Sequence, residues 1–436
     1  EYNYKITQPR EAASYIGTSK VINYTLKSDW VFAMNPVNEF NFGVNLVNHR
    51  LRPGERVPFN DSTSSANTII LDTERGLESA IYLSHKINHK KLKVLYGLRV
   101  SALHVLGPYD EYIYDQSQTK SDESILDTIR FKSGEKVKSY YGFEPRISVN
   151  YLLRANRSVK ASYTRSLQYL HLISNTITPA PTDIWKLSDP YIQPTISDHF
   201  SLGLYANFFN NRLEVFVDGY YKSMQNLLDY KDGAELLFNS NPETELLNGQ
   251  GRSYGLEFFA KKNEGKLKGW ISYTLSRSEI KVNGEFQEEK VNNGQFFATN
   301  HDKKHDISVV GIYQFTPRVS SSLSFNYSTG RPYTLPIGKY IYEDKLVPHF
   351  GERNQYRLPA YHRLDFSLKI EGKKYKLDGS ERKFQDYWTL VAYNVYGRDN
   401  VYSYVFEQDE NTGNTSIVPY SIFNTIIPGV TYNFKF

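Results

Sequence analysis

The sequence predicts an all-β fold, namely a transmembrane, antiparallel, up-and-down β-barrel. Three observations support this prediction. Tyr and Phe number 36 and 25 in 436 residues, apolar and polar residues alternate along many segments, and short connections alternate with long ones. Aromatic rings suit the boundary between lipid and water, and each strand of a membrane barrel turns one side to lipid and the other to a wet interior.

The overall composition excludes some classes of protein but does not distinguish a membrane barrel from a soluble β-fold. No segment reaches the roughly 18 uninterrupted apolar residues that a membrane-spanning helix needs, so the sequence excludes an α-helical membrane protein. The mean hydropathy of −0.54 does not exclude a barrel, because alternation hides the apolar side of each strand from any average. On composition alone, an aromatic-rich soluble β-sandwich or β-propeller explains the aromatic residues equally well.

Cysteine content and charge exclude further classes. The chain has no Cys, so it can form neither a disulfide framework nor a thiolate metal site. The net charge of +5 is small for this length and is spread along the chain, without the clustered basic stripe of a nucleic-acid-binding protein. Nucleic acid is therefore not expected among the partners.

The two-residue alternation is clearest at residues 319–328. Leu323 and Phe325 share one side of the predicted strand, whereas Ser322 and Ser324 share the other. The same division recurs at residues 143–151, 361–370 and 429–436. We expect the apolar side of each strand to face lipid and the polar side to face the lumen.

The lengths of the connections distinguish a barrel from a soluble sheet. Tight turns are predicted at residues 35–38, 88–90, 154–156, 210–211, 263–265 and 316–318, with a longer one at 372–385. Long polar connections lie between them, at about residues 52–76, 107–138, 170–195, 230–248, 281–303, 331–358 and 397–420. This pattern predicts periplasmic turns at one rim and extracellular loops at the other, with roughly 15 strands, or 16 if residues 1–7 add one.

Several short motifs follow one another in a fixed order. They are ThrAspIleTrp at 182–185, AspPro at 189–190, GlyArgSerTyrGlyLeuGlu at 251–257, GlyTrpIleSerTyrThrLeuSerArgSer at 269–278, HisAspLysLysHisAsp at 301–306, SerThrGlyArgPro at 328–332, ArgLeuProAlaTyrHisArgLeuAsp at 357–365 and TyrAsnPheLysPhe at 432–436. In this order and spacing, residues 20–436 resemble the TonB-dependent receptors of the outer membrane, particularly the Bacteroidota type.

The resemblance implies a larger protein. Family members have about 22 strands around a globular N-terminal plug. Residues 1–436 are then the C-terminal part of one transmembrane barrel domain, about 15–16 of an expected 22 strands, with the plug and the first strands outside this numbering. An open wall would leave unpaired edges in lipid, which is costly. The resemblance also implies the outer membrane of a Gram-negative bacterium and a periplasmic C-terminus.

Charged residues on the polar side of their strands are predicted to face the lumen, because a charge near the lipid midplane costs about 2–4 kcal/mol. Contact with the plug is their favoured role, and a solvated pore lining is the alternative. The residues are Glu144, Arg146, Glu214, Asp218, Glu257, Arg363, Asp365 and Lys369.

Exposed aromatic residues in the long loops are the candidates for ligand contact. Their rings can stack on sugars or on flat chelates, although the same rings also hold loops against one another. The ligand-binding candidates are Trp185, Tyr191, Tyr333, Tyr340 and Tyr342.

No cofactor, metal site or catalytic group is predicted. His301 and His305 lie four residues apart in a segment that leads into a strand, where that spacing spans about 13 Å and is too wide for one metal ion. The sequence contains no phosphate-binding glycine loop, zinc-protease helix motif or serine elbow. We therefore expect a protein that is not an enzyme.

The family resemblance implies import of a scarce ligand, driven by TonB-coupled movement of the plug. A siderophore, cobalamin, an oligosaccharide and a peptide all stay open as ligands. The implied partners are the TonB complex, outer-membrane lipid and the barrel-assembly machinery, which would recognise Phe436, with a surface lipoprotein or other outer-membrane subunits as further partners. The alternatives are an accessory barrel subunit of a larger complex and a passive 16-stranded porin, in which residues 1–7 would pair with the strand ending at Phe436.

Overall fold

A computed structural model describes residues 2–6, 14–59, 66–173, 183–342, 345–376, 378–408, 415–422 and 424–436. The helical segments in these ranges are four 3-10 turns, at Asp122–Ser124, Pro242–Thr244, Gln287–Glu289 and Asn292–Gly294. No helix among the described residues is long and apolar enough to cross a membrane.

One antiparallel sheet of 18 strands forms a continuous wall. Its strands are β1 (Tyr2–Ile6), β2 (Tyr15–Ala33), β3 (Asn38–Pro58), β4 (Ile69–Ile70), β5 (Glu74–His89), β6 (Leu92–Leu106), β9 (Lys136–Arg154), β10 (Arg157–Gln168), β13 (Thr195–Phe208), β14 (Leu213–Tyr230), β15 (Leu246–Lys262), β16 (Leu267–Val282), β17 (Phe297–Ala298), β18 (His305–Thr316), β19 (Val319–Ser328), β24 (Tyr361–Glu371), β25 (Gln385–Tyr393) and β28 (Ile427–Lys435). Apart from the two-residue strands β4 and β17, which pair with β3 and β16, these strands pair in chain order.

The up-and-down topology and the strand count are confirmed. Sixteen strands follow one another across the wall. The first of them, β1, lies within residues 1–7, where the sequence predicted a possible sixteenth strand. Within the described residues, β1 pairs with β2 and β28 pairs with β25, but β1 and β28 do not pair with each other. The closure that a 16-stranded porin requires is therefore not found among these residues.

The two faces of the wall differ as the alternation predicts. One face carries exposed apolar side chains, among them Ile81, Phe143 and Leu202, which are 62%, 60% and 60% exposed. Their neighbours along the chain turn to the opposite face, where Arg99 lies across from Glu144. We call these the apolar face and the polar face. A cavity of about 950 Å³ is lined mostly by apolar groups, among them Phe200, Leu202 and Leu256 of the apolar face.

The two rims also differ. The seven short connections, including the longer one between β24 and β25, all lie at one edge, which we call the turn rim, and the long connections lie at the other, the loop rim. Within the described residues, five two-stranded antiparallel sheets occupy the long connections, which the sequence did not predict. They pair β7 (Tyr109–Tyr114) with β8 (Ile125–Phe131), β11 (Leu170–Ile173) with β12 (Ile184–Leu187), β20 (Pro332–Tyr333) with β23 (Tyr356–Arg357), β21 (Pro336–Tyr342) with β22 (Lys345–Phe350), and β26 (Val401–Gln408) with β27 (Thr415–Ser421).

The buried core lies where these loops fold over the polar face. Strand β12 lies near β3 and β5, and a side chain at Gly76 would meet Leu103 and Leu187. Tyr169 joins this packing by contacting buried Leu103 and Val105. The packed apolar groups of the described residues are therefore concentrated at the loop rim.

Candidate ligand-binding site

The eight charged residues predicted to face the lumen all lie on the polar phase of their strands. Several have partners on that face. Glu144 accepts a hydrogen bond from Ser101 at 2.6 Å, Asp218 accepts one from Tyr205 at 2.8 Å, and Arg363 pairs with Asp365 at 2.8 Å. The remaining members are Arg146, Glu214, Glu257 and Lys369. These residues are spread over β9, β14, β15 and β24, so they do not form one compact site, and their contact with a plug stays a prediction.

A buried ion cluster holds the β11–β12 hairpin against the wall. Lys186 Nζ lies 2.7 Å from Glu74 Oε1 and 2.9 Å from Asp189 Oδ2. Burial alone would lower the pKa of Lys186, but the carboxylates of Asp189 and Glu74 outweigh burial and raise it. The other carboxylate oxygen of Asp189 accepts the backbone N–H groups of Tyr191 and Ile192. The AspPro motif is thus a turn that connects this hairpin to β13.

A small polar cavity adjoins this cluster. Its volume is about 140 Å³, and its lining includes Asp72, Glu74, Asp110, Lys186 and Glu243. Four carboxylates therefore share the lining with one ammonium group. The cavity can accept a group that donates hydrogen bonds, and it disfavours an added anion.

A second cavity lies among three loops. It measures about 230 Å³, with an apolar floor that includes Leu172 and Leu227 and a polar rim that includes His301, Arg353 and Asn354. An apolar floor with a few convergent polar groups is typical of a small-molecule site. Sequence patterns point to His301 but not to Arg353 or Asn354, because only the folded loops bring these residues together.

Arg353 joins two of the loops around this cavity. Its guanidinium pairs with Asp229 and Asp232, donates to the Tyr230 carbonyl at 3.0 Å and lies over the Tyr230 ring at 4.7 Å. Its backbone N–H also donates to Asn292 Oδ1 at 2.7 Å. The side chains of Arg353 and Asp229 are 9% and 10% exposed, so this contact is shielded from water.

Four of the sequence motifs meet at one buried carboxylate, Asp302. It accepts the backbone N–H of Ser278 at 2.6 Å and pairs with Arg277 at 3.3 Å and with Arg357. Arg357 also donates to the carbonyl of Gly330 at 3.0 Å. A side chain at Gly330 would collide with the Leu358 carbonyl, which explains the glycine in the SerThrGlyArgPro motif. These motifs therefore shape the loop rim.

The predicted ligand aromatics do not converge on one pocket. Tyr191 donates to the Tyr112 carbonyl at 2.7 Å, and its ring meets Tyr114 edge-on, so it packs one loop against another. Tyr333 meets Tyr404 edge-on in a separate loop group, and Tyr340, 50% exposed, packs beside His349. Trp185 is half-buried on β12, and the side chain of Tyr342 lies outside the described residues. Their role in ligand contact stays a prediction.

The two histidines of the HisAspLysLysHisAsp motif are held apart. His305 lies on β18 beside Tyr273, whose hydroxyl is 2.9 Å from Nδ1, whereas His301 lines the 230 Å³ cavity. Among the described residues, no group of three or more His, Cys, Asp and Glu side chains is arranged to hold a metal ion.

The β11–β12 hairpin is expected to loosen at acidic pH because of His171. Its Nε2 lies 3.0 Å from Ser188 Oγ, and burial lowers its pKa from 6.5 to about 4. As the pH falls, His171 takes up a proton in the unfolded hairpin at a higher pH than in the folded one. The full stability of the folded hairpin is therefore present above pH 6.5, and about 3 kcal/mol of it is lost as the pH falls toward 4. Hydrogen exchange of this hairpin across that range measures the effect.

The variant His171→Gln is the control for this prediction. Other groups of the protein also take up protons as the pH falls, so only the difference between wild type and variant reports the imidazole. Equal acid sensitivity in both proteins would contradict the assignment to His171.

An antiparallel wall with one apolar face, one polar face and loops that fold over the polar side at a single rim defines a membrane receptor barrel. The sequence model of the family described as "TonB dependent receptor-like, beta-barrel" matches residues 1–433. The chain belongs to this family, whose members are transport receptors of the outer membrane of Gram-negative bacteria. The finer assignment to the Bacteroidota type stays a prediction.

Solved structures of receptors share the fold. The unliganded ferric citrate transporter FecA aligns with a TM-score of 0.62 at 12% identity, over 99% of this chain and 57% of that one. The ferric-catecholate import receptor Fiu of Escherichia coli K12, in its closed form, gives 0.57 at 15% identity, over 97% and 55%. BauA, the ferric preacinetobactin receptor of Acinetobacter baumannii, gives 0.55 at 11% identity, also over 97% and 55%.

The chain thus spans little more than half the length of these three receptors. At these identities, the likeness shows the fold alone. A comparison with curated protein sequences gave no match.

Proposed function

We propose that the protein imports a scarce nutrient across the outer membrane. The ligand binds among the folded loops, and the TonB complex then moves a plug within the barrel to open a path. The observation that carries this proposal is the position of two cavities that combine apolar walls with polar groups: both lie at the loop rim of a receptor barrel whose family model matches nearly the whole chain. In the proposed full-length receptor, further strands close the wall and a plug fills its lumen.

The chemistry of the cavities limits the ligand. Carboxylates are the main charged groups of the smaller cavity. Amide and imidazole groups line the rim of the larger one, where the Arg353 guanidinium is already paired with Asp229 and Asp232. A ligand rich in hydroxyl or amino groups suits these linings better than one that buries a free anion. The names of the solved neighbours support a ferric chelate as the first compound to test, followed by cobalamin, an oligosaccharide and a peptide.

Growth of a deletion strain carrying the full-length gene tests the proposal. We expect the gene to restore growth when one of these nutrients is limiting. The double substitution Asn300→Ala with Asn354→Ala removes an amide pair, whose side chains lie 2.7 Å apart, from the rim of the larger cavity. The ligand concentration for half-maximal growth is expected to rise about tenfold, which corresponds to about 1.4 kcal/mol of binding.

The matched control is Lys90→Gln, in the β5–β6 turn at the opposite rim, which should leave this concentration unchanged. Both variants must reach the cell surface in wild-type amounts. If the full-length gene restores growth on none of the nutrients, although the protein is correctly assembled, an accessory role in a larger outer-membrane complex replaces the transport proposal.

A further inference from the structure

The fold sorts charge between the two rims. Among the residues that the structure describes, the short turns hold ten Lys and Arg against three Asp and Glu, whereas the long connections hold 14 against 21. The turns are residues 34–37, 90–91, 155–156, 209–212, 263–266, 317–318 and 372–384. The long connections are residues 7–14, 59–73, 107–135, 169–194, 231–245, 283–304, 329–360 and 394–426. The charged residues are spread along the sequence, but the topology brings the connections to two rims. The turn rim is therefore basic, and the loop rim is acidic.

Half of the basic residues at the turn rim belong to one turn. Residues 372–384, between β24 and β25, contain five Lys and Arg and two Asp and Glu. Within the described residues, the one ion pair of this turn joins Lys374 to Glu381 at 3.6 Å, with both side chains more than half exposed. An exposed pair at this distance neutralises little charge. The turn therefore presents a net positive surface to the solution.

An aromatic cluster on the apolar face adjoins this basic turn. Phe384, which belongs to the turn, packs against Phe434 and Phe436, with ring centroids 5.9 and 5.7 Å apart. Trp388 and Tyr432 form a neighbouring pair at 4.6 Å. Aromatic rings of this kind mark the level of the lipid headgroups on a transmembrane barrel. Phe384 thus places Arg382 and Lys383 beside the headgroup layer.

We propose that the turn at residues 372–384 and its aromatic cluster bind anionic phospholipid headgroups of the leaflet at the turn rim. The phosphate groups contact Lys373, Lys374, Arg382 and Lys383, while the acyl chains pack on the Phe434 side of the wall. Two observations point to a lipid and not to an acidic protein: the basic residues are continuous with a lipid-facing aromatic surface, and Phe384 belongs to both. The proposal rests on the membrane location of the proposed receptor, but it does not depend on ligand import.

Native mass spectrometry of the full-length receptor tests the proposal. The protein is released from nanodiscs that contain phosphatidylcholine with or without phosphatidylglycerol, and the retained phosphatidylglycerol is counted. The quadruple substitution K373Q/K374Q/R382Q/K383Q is expected to lower the apparent affinity for phosphatidylglycerol about tenfold or more, since each basic group near the surface adds to the attraction. High salt should reduce the difference, because it screens exposed charges.

The matched control removes the same number of charges from other turns of the same rim, as K90Q/K91Q/R212Q/K266Q. We expect this variant to retain phosphatidylglycerol nearly as well as wild type. Equal losses in both variants would show that only the diffuse charge of the rim matters, and unchanged retention in the first variant would show that the basic turn does not hold this lipid; either result overturns the proposal. The nanodisc measurement uses no imported nutrient. Its result therefore does not depend on whether the growth test of the proposed function succeeds.

Discussion

Replacing Leu323 with Arg is expected to prevent most of the protein from assembling as a folded barrel. Leu323 lies midway along β19 on the apolar face, is 48% exposed and pairs across the sheet with Gly311 and Phe366. An arginine near the lipid midplane costs about 2–4 kcal/mol, a large fraction of what a marginally stable fold can lose. The heat-modifiable mobility of the full-length protein on gels, or its urea unfolding from lipid vesicles, measures the loss.

The neighbouring residue provides the control. Ser322 lies on the same strand but on the polar face, opposite Ser367 of β24. Ser322→Arg adds the same side chain one position away and is expected to leave assembly nearly unchanged, because the guanidinium stays in water. If both substitutions impaired assembly equally, or if Leu323→Arg were tolerated, the apolar face would not be in contact with lipid and the membrane assignment would fail.

The wall could be predicted from the sequence because its determinants are local. A strand places successive side chains on opposite faces, so the alternation around Leu323 fixes which residues meet lipid without knowledge of any partner strand. The tight turns were recognisable for the same reason, as short polar breaks between such segments. The observed strands confirm both features, including the conditional first strand Tyr2–Ile6.

The loop rim could not be predicted in the same way because its contacts are between residues far apart in the chain. Arg357 reaches Asp302 across 55 positions, and Arg353 reaches Asp229 across 124. No periodic pattern in the sequence predicts such pairs. From the sequence, an Arg in a long polar segment cannot be distinguished from one whose side chain is in water. The sequence predicted aromatic loop residues as ligand contacts, and this stays a prediction; what the sequence did not predict is that Tyr191 packs one loop against another.

The distribution of charged residues between the two rims was predictable only in part. Along the sequence, the basic and acidic residues show no clustering, but the up-and-down topology brings every second connection to the same rim. The difference in net charge between the turn rim and the loop rim is thus encoded in the sequence. It can be recognised only after the strand boundaries are known. Counting charge per rim, once turns have been assigned, would have found it.

Replacing Arg353 with Met is expected to open the loops around the 230 Å³ cavity. The substitution keeps much of the apolar stem but leaves Asp229, 10% exposed, without its cation. Removing one member of a shielded ion pair costs about 3–5 kcal/mol, because the remaining charge keeps its desolvation penalty. Hydrogen exchange and limited proteolysis of residues 229–245 and 351–358 should therefore accelerate, whereas the wall strands keep their protection.

The partners of Arg353 separate this explanation from a general loss of packing. Asp229→Asn in the Arg353→Met background removes the orphaned charge, so it should recover part of the lost protection, although each change alone is damaging. Asp232 is 83% exposed, and Asp232→Asn is expected to cost little, since water already screens that contact. Additive losses in the double variant would mean that Arg353 acts through its contact with the Tyr230 ring and not through the buried ion pair. The graded response of these variants follows from burial, because the two carboxylates contact the same guanidinium but differ in their access to solvent.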